Sequence, residues 1–237
     1  MRPRPSRAAG TRPPQPPHER PGPVGGKRDQ NRRARTQTLH EAAQRLFLER
    51  GVDSVSIDDI TREANVAKGS FYRYFRDKED LVRAAFEPAR TSVLGAFERA
   101  ERKLENLTGP EKVRAVYMRL GRELAAALMS DPEITKLYLQ ESRAPAVHAR
   151  VPIRELERDI AAAALRLSEL ACSHGLLRKV HPQVSTLAVI GATERLLHAF
   201  FAGDLELAPT VAISGLVSIV LDGMRSAERG DGRRASG

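Results

Sequence analysis

The chain has 237 residues, of which 41% are apolar and 29% charged, a balance typical of a folded protein with a sizeable core. Its single cysteine excludes an internal disulfide and a multi-cysteine metal site. No apolar run is long enough to span a membrane and the N-terminus lacks a secretory signal, so we expect a cytoplasmic protein without membrane contact.

The formal net charge of +9 is distributed unevenly along the chain. Residues 1–35 contain ten Lys or Arg and two Asp or Glu, whereas the rest of the chain is nearly neutral. A protein coated with positive charge for non-specific nucleic-acid binding is therefore not indicated. Any binding to nucleic acid has to depend on the local placement of a few cations.

The first 32 residues form a basic arm, and eight of the 15 prolines lie in its first 26 residues. Such a composition cannot build a packed core, so we predict that residues 1–32 are disordered. We predict the same for the tail at residues 226–237. Three interpretations of the arm stay open: a solvated tail, a translation start assigned too early, or a segment that adds electrostatic affinity for nucleic acid.

Between the arm and the tail, apolar residues recur with helical spacing, and about nine helices are predicted. The first helix carries an apolar stripe from Leu39 to Phe47 and stops near Gly51. Two short helices follow at about residues 56–64 and 68–75. The former starts with Ser56 as N-cap and a carboxylate three residues later.

Further helix starts are marked by capping residues and prolines. Asp77 precedes a helix that contains Pro88, where we predict a kink. Pro132, Pro152 and Pro182 each lie in the first turn of a later predicted helix. No strand-like alternation competes with these patterns, so the predicted fold class is all-α.

The helix predicted at residues 68–75 combines aromatic rings with cations. Phe71 and Phe75 lie four residues apart and therefore share one face, which we expect to pack into the core. A short turn joins this helix to the preceding one and a third helix braces both, which is the helix-turn-helix arrangement. The remaining positions carry groups suited to base edges or phosphates: Lys68, Gly69, Ser70, Tyr72, Arg73 and Tyr74.

Two more candidates lie at helix starts, where unpaired backbone amides favour phosphate. Ser56 precedes the second helix and Lys78 begins the fourth. From these residues alone, an amphipathic helix pair without a nucleic-acid partner stays an open alternative.

Residues 33–93 resemble the N-terminal domain of the TetR family of transcriptional regulators. The resemblance rests on "LHEAAQRLFLERG", "SIDDITREANVAKGSFYRYF" and "DKEDL" in that order. It implies a helix-turn-helix motif at residues 56–75 and a variable, sequence-selecting position at Arg73. It also implies DNA contacts by Ser56, Lys68, Gly69, Ser70, Tyr72, Arg73, Tyr74 and Lys78.

By the same resemblance, residues 94–225 are expected to bind a small-molecule effector and to form a homodimer through the last two helices. Small residues among the apolar ones in these helices suit close helix packing, although packing within the monomer stays an alternative. An apolar pocket favours a hydrophobic effector, although residues of this kind more often belong to the ordinary core than to a ligand-binding wall. The candidates for its lining are Phe97, Tyr117, Leu120, Leu124, Leu137 and Tyr138.

The resemblance implies a repressor that an effector releases from a palindromic double-stranded DNA operator. Enzymatic activity is not expected, because the six histidines show no metal-ligand spacing and no glycine-rich phosphate loop follows a strand. We therefore predict no catalytic residues, no metal and no cofactor. A non-specific nucleic-acid-binding protein driven by the basic arm is the rival interpretation.

Overall fold

The computed structural model describes residues 26–107, 112–174 and 181–224. In these ranges the chain forms nine α-helices and no strand, which confirms the predicted all-α class. The helices are α1 (Lys27–Arg50), α2 (Ile57–Glu63), α3 (Lys68–Tyr74), α4 (Lys78–Glu105), α5 (Val113–Ser130), α6 (Pro132–Glu141), α7 (Val151–Ser173), α8 (Pro182–Ala202) and α9 (Pro209–Met224). Most of the predicted arm and the tail lie outside the described residues.

The first helix begins earlier than predicted, at Lys27. Residues 27–32 were expected to be disordered because they offer no apolar stripe, and this expectation is wrong. They are nevertheless rich in good helix formers, and Asp29 pairs with Arg33 one turn later at 3.1 Å. The helix therefore extends beyond the part that packs, and its first two turns are largely exposed.

Local capping explains where α2 and α4 begin. The Asp59 amide donates to Ser56 Oγ at 3.1 Å, and the Ser56 amide donates to Asp59 Oδ2 at 3.0 Å, which completes a capping box. The Asp80 amide donates to Asp77 Oδ1 at 2.8 Å. Each cap stabilises its helix by about 1 kcal/mol, and both predicted starts are confirmed.

Prolines begin the later helices as predicted. Pro132, Pro152 and Pro182 lie in the first turns of α6, α7 and α8, respectively. Backbone amides in the first turn have no acceptor within the helix, so the missing amide proton of proline costs no hydrogen bond there. Pro88 lies inside α4, which continues past it to Glu105. The predicted kink at Pro88 stays a prediction.

The buried apolar side chains form two clusters. The first core is formed by α1–α3, the first half of α4, α6 and the start of α7. The second core is formed by the second half of α4 together with α5, α7 and α9. Helix α4 supplies Phe86 to the first core and Phe97 to the second. At 28 residues α4 is about 42 Å long, so it spans both cores.

Helices α8 and α9 keep large apolar side chains on the surface. Leu187 is 66% exposed and Ile219 is 72% exposed, and Val184 and Val211 are exposed as well. None of the described helices has the length and apolarity needed to cross a lipid bilayer.

Candidate nucleic-acid interface

Helix α3 is fixed to the first core by one side only. Phe71 and Phe75 are buried with ring centroids 5.6 Å apart, and the ring of His40 from α1 lies 5.3 Å from that of Phe75. Burying two phenylalanines stabilises this attachment by about 3–6 kcal/mol in transfer free energy. The opposite side of α3 is therefore held in a fixed orientation without taking part in packing.

That opposite side is the reading face, defined by Lys68, Gly69, Ser70, Tyr72 and Arg73. Lys68, Gly69, Tyr72 and Arg73 are exposed, and Ser70 is half-buried. Arg73 has no hydrogen-bond or ion-pair partner in the described part of the chain, so its guanidinium is available to an external acceptor. Tyr74 is half-buried and packs against the first core, so it lies at the edge of this face.

Gly69 leaves open space around its α-carbon. A β-carbon added there meets no atom within 4 Å, so the absence of a side chain serves no internal packing. Glycine in a helix costs about 1 kcal/mol relative to alanine. Its position on the reading face fits a close approach of the backbone to a partner.

The turn between α2 and α3 depends on Asn65, which the sequence analysis did not single out. Asn65 has a φ of 51°, its amide donates to the Arg62 carbonyl at 3.1 Å, and the Val66 amide donates to the Thr61 carbonyl at 2.9 Å. This double bonding is the Schellman motif, and asparagine tolerates the left-handed conformation it requires. In the sequence, the signal for this turn was an asparagine in the three-residue connection between the two predicted helices.

Lys68 is held by an acid at the edge of the reading face. Its Nζ lies 2.7 Å from Asp58 Oδ1, and this hydrogen bond raises the pKa of Lys68. Both side chains are about half exposed, so solvent screens the pair and it contributes little to stability. Lys68 can therefore exchange Asp58 for a phosphate at little cost.

The side chains of Ser56 and Lys78 already have partners within the protein. Ser56 Oγ donates to Asp59 Oδ2 at 2.5 Å while it caps α2, and the hydrogen bonds from Ser56 lower the pKa of Asp59. Lys78 Nζ donates to the carbonyls of Val52 at 2.8 Å and Val55 at 2.7 Å, with that of Asp53 at 3.3 Å. Burial lowers the pKa of Lys78. Its ammonium thus secures the α1–α2 loop in this conformation, and a direct phosphate contact requires it to leave these carbonyls.

A polar junction joins the α1–α2 loop to α6 and α7, and sequence reasoning missed it. We define it as Val52, Asp53, Glu141 and Arg150. Glu141, only 3% exposed, accepts the Val52 amide at 3.2 Å and Arg150 Nε at 2.6 Å, and Arg150 also bonds Asp53. The hydrogen bond that Arg150 donates to Glu141 raises the pKa of Arg150. The junction fixes the loop that precedes the helix-turn-helix motif.

A second candidate site is an apolar cavity of about 160 Å³ among α4–α9. Five predicted lining residues border it: Phe97, Tyr117, Leu120, Leu124 and Tyr138. The assignment of Leu137 needs correction, because this residue is buried in the first core together with Ile134. Successive side chains of a helix point about 100° apart, so Tyr138 faces the cavity while the preceding residue, Leu137, faces α1.

Helices α8 and α9 contribute a part of the cavity lining that was not predicted from the sequence. It includes Thr186, Glu194 and Val217, which lie far along the chain from α4 and α5. No spacing pattern links these residues to Phe97 or Tyr117. Only the packing of the helices brings them together.

Residues 39–85 match the family model described as "Bacterial regulatory proteins, tetR family". The Transposon Tn10 TetC protein of Escherichia coli is 40% identical over 58 residues, which are 24% of this chain and 29% of TetC. An HTH-type transcriptional regulator of Staphylococcus aureus (strain USA300) is 42% identical over 45 residues, or 19% of this chain and 24% of that protein. The matched segments thus span about a quarter of the length of these relatives.

Solved structures match over most of the chain. The fatty acid degradation regulator FadR from Bacillus halodurans has a TM-score of 0.61 at 17% identity, covering 80% of this chain and 99% of that one. FadR from Bacillus subtilis in complex with stearoyl-CoA has 0.59 at 16% identity, covering 79% and 98%. A TetR family regulator from Marinobacter aquaeolei VT8 has 0.61 at 18% identity, covering 84% and 99%. The chain therefore carries the helix-turn-helix domain of the TetR family, within the overall fold of that family's solved members.

Proposed function

We propose that this protein is a transcriptional regulator that inserts α3 into the major groove of a specific DNA operator. The observation that carries the proposal is the exposed guanidinium of Arg73, which has no partner among the described residues and lies on a helix whose other side is buried through Phe71 and Phe75. A major groove admits one helix, and arginine bonded to both acceptors of guanine is the commonest specific base contact. Because α3 is held rigidly by its buried side, its orientation determines which base the guanidinium contacts.

The other residues of the reading face have supporting roles in this proposal. Gly69 lets the α3 backbone approach the groove, and the hydroxyls of Ser70 and Tyr72 contact base edges or phosphate oxygens. Lys68 exchanges Asp58 for a phosphate. Tyr74 and Ser56 contact the DNA backbone from the edges of the motif.

The contribution of Lys78 is largely indirect. Because its ammonium holds the α1–α2 loop, Lys78 positions the start of α2, and its own amide in the first turn of α4 faces a phosphate. Its loss is expected to weaken binding to every sequence alike.

The protein acts as a homodimer through α8 and α9. Leu187 and Val184 of α8 and Ile219 and Val211 of α9 are exposed, and these two helices pack against each other. Large apolar side chains exposed on two adjacent helices are typical of an interaction site. A two-fold pairing presents two α3 helices to successive major grooves about 34–36 Å apart, so the operator is palindromic.

A small molecule in the cavity controls the affinity for DNA, and the protein is a repressor released by it. In this proposal residues 33–93 bind DNA and residues 94–225 bind the effector and form the dimer. A ligand that favours one arrangement of these parts shifts the population towards it. The stearoyl-CoA bound by Bacillus subtilis FadR supports a hydrophobic effector in this fold.

Two helices connect the cavity to the reading face. Helix α4 spans both cores and begins just after α3. Helix α6 places Tyr138 at the cavity and, three residues later, Glu141 in the polar junction. A ligand that displaces α6 therefore pulls on the loop that precedes α2.

Selection of bound sequences from random double-stranded DNA by the purified full-length protein tests this function. The expected result is a palindrome whose half-sites are separated by about one helical turn. Recovery of sequences with no common motif at near-physiological salt contradicts the proposal, because non-specific binding depends on phosphate charge alone.

A further inference from the structure

Two side chains that line the cavity carry buried hydroxyl groups without a partner among the described residues. Tyr117 Oη and Thr186 Oγ1 are inaccessible to solvent, and neither has a hydrogen-bond partner among the described residues. Both side chains line the cavity, and Thr186 is only 5% exposed. Buried polar groups are nearly always satisfied, so a group that is not requires an explanation. A ligand with a hydrogen-bond acceptor supplies one.

Tyr117 keeps its proton under ordinary conditions. Burial raises the pKa of its phenol, because the charged form is poorly solvated there. The phenol is therefore a donor, and Thr186 adds a second hydroxyl that donates or accepts. The two groups together suit an oxygen acceptor such as a carbonyl.

The charge of the lining argues against an ionic ligand. Glu194 is the one charged side chain among the described residues that border the cavity, and these include no Lys, Arg or His. Its carboxylate is already held by Arg143 at 2.9 Å and by the Tyr138 hydroxyl at 3.3 Å. A carboxylate or phosphate in the cavity is left without a counter-charge. A cation gains little from a Glu194 that is already paired.

The cavity is small. Its volume of about 160 Å³ is close to the roughly 150 Å³ of an apolar protein cavity that binds benzene. The space therefore suits a single ring with a short substituent.

We propose that the ligand is an uncharged, ring-sized apolar molecule whose one acceptor oxygen receives hydrogen bonds from Tyr117 and Thr186. Its role as the effector rests on the function proposed above, whereas its chemistry is a property of the cavity alone. A site built to hydrogen-bond a ligand discriminates against an analogue that lacks the polar atom, because its own groups are then left unpaired.

Calorimetric titration of the full-length protein with four matched probes tests the inference. The probes are acetophenone, the similarly shaped but acceptor-free α-methylstyrene, benzoate and benzylammonium. We expect acetophenone to bind most tightly, α-methylstyrene to bind roughly fivefold more weakly for each hydroxyl that it leaves unpaired, and both ions to fail to bind. Binding of either ion as tightly as acetophenone overturns the inference, as does the failure of all four at millimolar concentration.

Hydroxyl-deleting variants identify the groups responsible. Tyr117→Phe and Thr186→Val, singly and together, should retain binding of α-methylstyrene and lose the preference for acetophenone. Thr193→Val is the matched control, because the Thr193 hydroxyl already donates to the Val189 carbonyl at 2.8 Å. A preference that survives in the single variants and in the double variant overturns the inference. Retained α-methylstyrene binding shows that a variant is folded.

Operator affinity measured in the same samples separates this inference from the proposed function. Acetophenone binding that leaves operator affinity unchanged contradicts the effector role and leaves the chemistry of the cavity standing. Loss of operator affinity on binding benzoate alone contradicts the chemistry and leaves the effector role standing.

Discussion

Glu141 in the last turn of α6 accepts Arg150 Nε at 2.6 Å through one carboxylate oxygen and the Val52 amide at 3.2 Å through the other. One buried carboxylate thus joins three separate segments: α6, the start of α7 and the loop before α2. Because this loop precedes the DNA-binding motif, the junction couples the stability of the protein to the position of the motif.

Replacing Glu141 by Gln should destabilise the protein by about 1–3 kcal/mol, because Arg150 loses an ionised acceptor that is almost fully buried. Urea unfolding monitored by circular dichroism measures the change. Lys136→Gln is the control, since Lys136 pairs with Glu133 at the surface and its loss should cost under about 0.5 kcal/mol. Equal effects of the two substitutions argue against a structural role for the junction.

Gly69→Ala should have opposite effects on folding and on DNA binding. The added methyl meets open space, so the helix gains about 0.5–1 kcal/mol of stability, whereas the same methyl obstructs the groove and lowers operator affinity. Thermal unfolding and a fluorescence-anisotropy titration measure the two quantities. Gly95→Ala in α4 serves as the control and should leave affinity unchanged. A Gly69→Ala protein with full operator affinity rules out close contact at this position.

Lys78→Ala should lower both the melting temperature and the affinity for every DNA sequence. Three carbonyls of the α1–α2 loop lose their donor, and the start of α2 loses its support. We expect about 1–3 kcal/mol of destabilisation, with the same fold-loss for operator and for scrambled DNA. An unchanged melting temperature refutes the structural role, and a loss confined to the operator assigns Lys78 to base choice instead.

His40 should make stability depend on pH. Burial lowers the pKa of His40 below its ordinary value of 6.5 and favours the neutral ring in the folded state. As pH falls through 6.5, the unfolded chain takes up the proton first, so stability decreases towards pH 5 and is restored above pH 7. His40→Phe should flatten this part of the curve. Parallel curves for the two proteins, from urea midpoints at pH 5–7.5, contradict the prediction.

Local features of the fold were predictable because their causes are local. Ser56 with Asp59, and Asp77 with Asp80, signal helix starts from four residues each, and both starts are as predicted. The spacing of Phe71 and Phe75 identified the buried side of α3 and, by exclusion, its exposed side.

Contacts between distant segments were not predictable, because spacing reveals the faces of a helix and not their partners. Arg150 and Asp53 bond across 97 positions, and no pattern in either segment indicates this. Leu137 and Tyr138 are adjacent apolar residues of α6, yet Leu137 is buried in the first core, whereas Tyr138 packs against that core and also borders the cavity. Their separation follows from where α1 and α8 pack, which the sequence of α6 does not encode.

Arg73 is the residue on which sequence preference should depend. Arg73→Ala removes an exposed side chain with no partner in the described residues, so we expect folding stability to change by no more than about 0.5 kcal/mol. Operator affinity should fall by about 1–3 kcal/mol, and discrimination against substitutions at one base pair of each half-site should disappear.

The most direct measurement compares wild-type and Arg73→Ala proteins on the selected operator and on its single-base variants, at about 150 mM salt. We expect the wild type to prefer the operator and the variant to lose this preference at one symmetric pair of positions. Equal affinity of the wild type for all the DNA molecules, or unchanged discrimination by the variant, would contradict this expectation.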